Sequence, residues 1–156
     1  DPHFLTGYTP VAAYAQAKTA NVLFAVGLDR RWSDEGIRGY AVHPGVVVGT
    51  KFNDGANIAS LQAMGLMDET GRPIVDPAAG KKTVPQGAST IVFAATSPQL
   101  AGVGGVYLKD NDVAPVDDRE LAVTADFIPS DAASHAIDPD AAERLWLLSE
   151  QLLTAR

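Results

Sequence analysis

Tyr14 and Lys18 stand four residues apart in a stretch without glycine or proline. If that stretch is helical, positions i and i+4 share a face, so a phenol and an ammonium lie side by side. A phenol with a pKa of about 10 is a poor acid or base at neutral pH. An ammonium about 5 Å away, at an effective dielectric of about 20, favours a phenolate by roughly 3 kcal/mol. That moves a tyrosine toward the range of a general acid/base. Read blandly, the pair is a core tyrosine beside a solvated lysine, and the spacing alone is a weak signal. Asn21, three residues beyond Lys18, falls on the same face. One strand later come His43-Pro44-Gly45 and then Thr50. Loops at the carboxyl ends of strands hold ligands in open α/β sheets. A Pro-Gly there turns the chain sharply and lets backbone amides approach a planar ligand. By itself, Pro-Gly is more simply a turn.

These groups need a scaffold, and the sequence punctuates one clearly. Thr9-Pro10 is a helix start, with Thr as N-cap and Pro in the first turn. A helix is expected over residues 11–33, closed by Asp34-Glu35-Gly36. Val11, Tyr14, Val22, Ala25, Val26 and Leu28 give it a wide apolar stripe, which predicts burial on more than one side. Residues 39–43 read as a short buried strand. Residues 52–83 are irregular, with a helical patch at 58–66. Thr83 and Pro85 open a helix that runs to Thr96 and is ended by Ser97-Pro98. Residues 102–108 read as a glycine-rich turn and a strand, and residues 110–129 as acidic loop. Asp138-Pro139 opens a last helix through residue 153, with Leu145, Leu148 and Leu152 on one stripe.

Helix, strand, helix, strand is the order of an α/β fold with a parallel sheet. Two strands cannot cover three long helices, since sheets usually have about 4–6 strands. The sequence therefore reads as the second half of a larger α/β unit. The alternative is a self-contained small α+β domain.

The chain has 156 residues, enough for one domain, with 46% hydrophobic and 20% charged residues, a globular composition. Nineteen acidic against twelve basic side chains give a net charge of -7. That argues against nucleic acid as a partner, because phosphate affinity comes from Lys and Arg. It disfavours an anionic membrane surface for the same reason. The chain contains no cysteine, hence no disulfide, zinc ribbon or thiol nucleophile, which fits a cytoplasmic protein. No apolar run approaches the roughly 18 residues of a membrane span. The sequence opens at Asp1 rather than Met, which suggests a processed or truncated start.

Weaker motifs carry less. His3, His43 and His135 are too scattered to suggest a metal site. His43 reads better as a strand-end packing or hydrogen-bonding residue. Asp110-Asn111-Asp112 lacks the glycine and terminal glutamate of a calcium loop. Gly80-Lys81 lacks the flanks of a phosphate loop, and Gly102-Val103-Gly104-Gly105 precedes a strand instead of opening a helix. Leu61, Met64, Leu66 and Met67 are either a lipophilic lid over substrate or ordinary helix packing.

The helix sequence Ala13-Tyr14-Ala15-Gln16-Ala17-Lys18-Thr19-Ala20-Asn21-Val22-Leu23-Phe24 resembles the active-site helix of the short-chain dehydrogenase/reductase family. Leu28-Asp29-Arg30-Arg31, Gly36-Ile37-Arg38 and Val42-His43-Pro44-Gly45 resemble its retinol-dehydrogenase and WW-domain-oxidoreductase branch. So do Gln86-Gly87-Ala88, Ala95-Thr96-Ser97-Pro98, Gly105-Val106-Tyr107 and Leu145-Trp146 with Ser149. The resemblance covers nearly the whole chain.

It implies the C-terminal half of a doubly wound, Rossmann-like parallel sheet with flanking helices. Residues 1–156 would then be the catalytic half of one dehydrogenase domain. The implied activity is hydride transfer between NAD or NADP and a lipophilic alcohol or carbonyl. Tyr14 would exchange the proton with the substrate oxygen. Lys18 would support Tyr14 and bind the nicotinamide ribose. Pro44, Gly45, the backbone at Val47 and the Thr50 hydroxyl would hold the carboxamide end. The family's catalytic serine lies upstream of the tyrosine, and no serine precedes Ser33 here. The glycine-rich dinucleotide fingerprint and the Asn-Ala-Gly turn are likewise expected outside this sequence. The resemblance also implies a homo-oligomer. The competing expectation is a catalytically inactive half-protein that serves as an interaction or dimerisation module.

Overall fold

The computed structural model describes residues 4–5, 7–51, 55 and 57–155. His3, Thr6 and Phe52 lie outside the described residues. Among the described residues, four α-helices and three strands follow in the order α1 (Pro10–Trp32), β1 (Tyr40–His43), α2 (Ile58–Ala63), α3 (Val84–Thr96), β2 (Val106–Lys109), β3 (Asp112–Val113) and α4 (Pro139–Thr154). The strands form one sheet in the order β1-β2-β3. The chain divides into two compact units. The first contains Asp1–Ala41, Gly102–Tyr107 and Ala133–Arg156; the second contains Val42–Ala101 and Leu108–Ala132.

In the first unit, α1 starts as its sequence requires. The Thr9 hydroxyl accepts the Ala12 amide at 3.1 Å, and Pro10 fills the first turn, where a missing N–H costs nothing. Arg30 and Arg31 sit in the last turn, where cations suit the helix dipole. The burial of α1 is uneven along its length, where the wide stripe predicts burial on more than one side. Ala25, Val26 and Gly27 are buried, whereas Val11, Tyr14 and Phe24 are exposed. The C-terminal part of α1 is the packed part, because α4 lies against it. Ala142 of α4 is 1% exposed, and Trp146 is the hub. Its ring stacks on Phe24 at 5.1 Å between centroids and meets the edge of Trp32 at 5.4 Å. The Arg31 guanidinium covers it at 4.3 Å while donating to Glu143 at 2.7 Å.

The second unit has its own small core of Val48, Leu61 and Leu66, flanked by Val46, Met67 and Ile128. Of the four lid candidates, Leu61, Leu66 and Met67 belong to this packing and Met64 does not. Leu61 and Leu66 are core residues, whereas Met64 and Ile58 point to solvent. Lys81 is buried beside this layer, at 5% exposure, and its ammonium donates to the Gly65 carbonyl at 3.0 Å. A buried ammonium needs such a partner. The helix α3 opens with a full capping box between Thr83 and Gln86.

Residues 110–129 are not loop throughout. β3 folds back antiparallel on β2, with Leu108 opposite Val113 and Lys109 opposite Asp112. Asp110 and Asn111 make the turn, with φ of 51° and 62°. Positive φ at both central residues is the hairpin turn that matches strand twist, and Asn and Asp tolerate it best. The sheet is therefore mixed, where the sequence had predicted a parallel one. No helix among the described residues is long and apolar enough to cross a membrane.

Candidate active site

α1 brings Tyr14 and Lys18 together as their spacing requires. The Lys18 ammonium lies over the Tyr14 ring, 5.4 Å from its centroid. At an exposed site such a contact contributes about 0.5–1 kcal/mol. Tyr14 is 53% exposed, and Lys18 and Asn21 are exposed on the same helix. The pair is thus displayed on an open helix surface.

Pro44, Gly45, Val47 and Thr50 belong to the second unit, on the segment that leaves β1. This segment is heavily constrained. Gly45 has φ 81°, a left-handed conformation that suits glycine. A Cβ there would stand 2.7 Å from Lys82 Cδ and 3.1 Å from the Gly80 carbonyl oxygen. Val46 donates its amide to the Gly80 carbonyl and accepts the Lys82 amide, both at 2.9 Å. Val47 and the Pro44 carbonyl rest against the first turn of α3, where a Cβ on Gly87 would come within 2.6 and 3.3 Å of them. Val48 enters the core, and Thr50 is half-buried. The Gln86-Gly87-Ala88 motif thus has a physical reason: only a bare α-carbon lets this loop lie on the helix.

Two residues missing from the sequence-derived site matter to that loop. His43 closes β1, and its Nδ1 accepts the Gly45 amide at 3.1 Å. Its pKa is lowered, chiefly by burial, further by the Lys82 and Lys109 ammonium groups, and against the opposing pull of Asp110. Lys82 backs Gly45 with its aliphatic stem and pairs with Asp110 of the hairpin turn. The next residue of that turn, Asn111, donates its amide to the fully buried Thr90 hydroxyl of α3 at 3.3 Å. The histidine was visible in the sequence as a strand-end hydrogen-bonding residue. Lys82 carried no signal, because its partners are remote in sequence.

No protein-family model matches the chain. Curated relatives do. A protein of Streptomyces lividans named a probable oxidoreductase is 43% identical over 156 residues, 99% of this chain and 50% of that protein. A WW domain-containing oxidoreductase of Danio rerio is 34% identical over 149 residues, 96% of this chain and 30% of that protein. A protein of Penicillium roqueforti named a short-chain dehydrogenase/reductase is 30% identical over 148 residues, 94% of this chain and 39% of that protein. The chain is a relative of short-chain dehydrogenases/reductases, as its motifs indicate. It spans about half the length, or less, of these relatives.

Such relatives imply a nicotinamide dinucleotide, and the residues present fit one end of it. Tyr14 and Lys18 are exposed and hold a proton donor beside a cation. The glycine-rich stretch before β2 does not suit the pyrophosphate. A Cβ on Gly104 would fall 1.8 Å from Asp29 Oδ1, so this glycine admits the chain's own carboxylate. Asp29 also accepts the Gly39 amide at 3.3 Å and faces Arg38 at 3.5 Å. A phosphate site needs amides free of an anion, and here the anion is built in.

Proposed function

We propose that this chain supplies the acid/base pair and the nicotinamide-end loop of an NAD- or NADP-dependent short-chain dehydrogenase/reductase. The observation that carries this reading is the Tyr14–Lys18 pair on the exposed half of α1, in a chain whose relatives bear oxidoreductase names. The substrate is an alcohol or carbonyl compound of lipophilic character. When bound, the nicotinamide supplies or accepts the hydride with its electron pair. Tyr14 gives the accompanying proton to the carbonyl oxygen, or takes it from the alcohol. Lys18 keeps positive charge beside the phenol and reaches the ribose hydroxyls. Pro44, Gly45, Val47 and Thr50 present backbone and hydroxyl groups to the carboxamide.

In this reading, the three-stranded sheet is the edge of a doubly wound sheet. Residues 1–156 are the catalytic half of one domain, and the strands that bind adenosine and pyrophosphate lie outside them. The half-length match to relatives supports this. Exposed Val11 and Phe24 on α1 support a homo-oligomer.

The test is turnover of carbonyl and alcohol panels by the full-length protein, followed as reduced nicotinamide. Tyr14→Phe should lower kcat at least about 100-fold while cofactor affinity stays within a few-fold. A variant that turns over within a few-fold of wild type would remove Tyr14 from the chemistry. An interaction module without catalysis would instead show no turnover in any full-length form.

A further inference from the structure

The peptide between Pro44 and Gly45 is held from three sides. Its N–H donates to the His43 imidazole at 3.1 Å. Its carbonyl oxygen lies 3.3 Å from the position a Gly87 Cβ would take, against the first turn of α3. The Gly45 α-carbon is backed by the Lys82 stem and the Gly80 carbonyl. Packing against α3 and Lys82 limits where this peptide can sit. A hydrogen bond at its N–H sets how it is rotated, because hydrogen bonds weaken steeply off-axis. An i to i+2 bond from side chain to backbone is the device by which Asn and Asp build turns, and here an imidazole uses it.

We propose that His43 is a positioning residue: its Nδ1 accepts the Gly45 amide and so fixes the plane of the peptide that faces the nicotinamide carboxamide. The second clause rests on the dehydrogenase reading above; the first does not. An accepting Nδ1 requires a lone pair, so the ring is neutral with its proton on Nε2. The surroundings favour that state. The ring is partly buried, and the ammonium groups of Lys82 and Lys109 oppose its protonation while Asp110 favours it. Protonation would remove the acceptor and add a third positive charge.

Asparagine carries an oxygen at the same bonded distance from the backbone as histidine Nδ1, so His43→Asn keeps the acceptor without the ring. Leucine removes it at similar bulk. In the full-length protein, His43→Leu should raise the KM for the nicotinamide cofactor about tenfold, with kcat within about threefold. His43→Asn should restore that KM to within about threefold of wild type. In the wild-type protein, nitrogen NMR of the histidine rings should show His43 with a bare Nδ1 and a protonated Nε2 at neutral pH. The Gly45 amide proton should move upfield in His43→Leu and return in His43→Asn. A His43 protonated on Nδ1 at neutral pH would overturn the proposal, as would an Asn variant no better than Leu in both readouts. Absence of turnover with either cofactor would overturn the dehydrogenase reading, while the ring tautomer and the Gly45 amide would still decide the positioning role.

Discussion

The exposed half of α1 and the segment from His43 to Thr50 each hold candidate residues, and they are built in opposite ways. Tyr14 and Lys18 are brought together by helix geometry. Their side chains stand on a solvent-facing surface and need only the four-residue spacing to meet. Beyond His43, the last residue of β1, the segment to Thr50 has no helix or strand to place it. It is fixed residue by residue, mostly through remote partners: Gly80 and Lys82 for Val46, α3 for Pro44 and Val47, and Lys82 together with the neighbouring His43 for Gly45. Under the proposed function, the contrast suits a division of labour. A proton donor must reach a substrate and benefits from an open approach. A loop that recognises a planar amide must hold its backbone groups still before binding, since each group ordered on binding costs free energy.

Four substitutions or conditions sharpen that contrast. The largest effect on folding is expected from Trp146→Ala, which removes the ring that Phe24, Trp32 and Arg31 share. The loss should be about 3 kcal/mol in denaturant unfolding. Hydrogen exchange should quicken in α1 and α4 and leave residues 44–50 protected. Quickening in both regions alike would mean the two are not separately built.

Lys18→Met comes next. It should lower kcat/KM by roughly 10–100-fold and also weaken cofactor binding, because one ammonium serves phenol and ribose together. Normal cofactor affinity with only a rate defect would show that Lys18 does not reach the ribose. Gly45→Ala should cost about 1–2 kcal/mol, from the left-handed φ and the contact with Lys82. Amide shifts should change along 43–47 and 80–82 and stay fixed in α1.

The smallest effect is acid sensitivity from His43. Its folded-state pKa lies below the ordinary 6.5, so between the two values the unfolded chain binds more protons than the folded one. Stability should therefore fall as pH drops through 6.5 and level off below the folded-state pKa. His43→Asn should flatten that part of the pH–stability curve. A variant with the wild-type slope would place the titration elsewhere.

The same contrast explains what the sequence reveals. Signals carried by neighbours in the chain are readable in advance. The Thr9-Pro10 start of α1, the Thr83–Gln86 capping box and the Asp138-Pro139 start of α4 all appear as the residues predict. So does the meeting of Tyr14 and Lys18. Signals that depend on distant partners are not readable. β3 is two residues long and follows a polar turn, so Asp110-Asn111-Asp112 reads as loop until β2 is beside it. Gly80-Lys81 reads only as a failed phosphate loop and Lys82 carries no signal, yet Lys81 is buried against the Gly65 carbonyl and Lys82 backs Gly45. The apolar stripe of α1 predicts burial on more than one side, although the sequence does not say which turns α4 will cover. The exposed turns are those that carry Tyr14 and Lys18.

The central claim is that this chain takes part in hydride transfer with Tyr14 moving the proton. Deuterium transfer measures it most directly. The full-length protein is mixed with NADH or NADPH carrying deuterium at both C4 positions of the dihydronicotinamide ring, together with a carbonyl substrate, and the alcohol product is analysed by mass spectrometry. The account predicts one deuterium on the carbinol carbon with the wild-type protein. It predicts that Tyr14→Phe forms this product at least about 100-fold more slowly while binding the cofactor comparably. Labelled alcohol formed equally fast by both proteins, or none formed by the wild type with either cofactor, would contradict it.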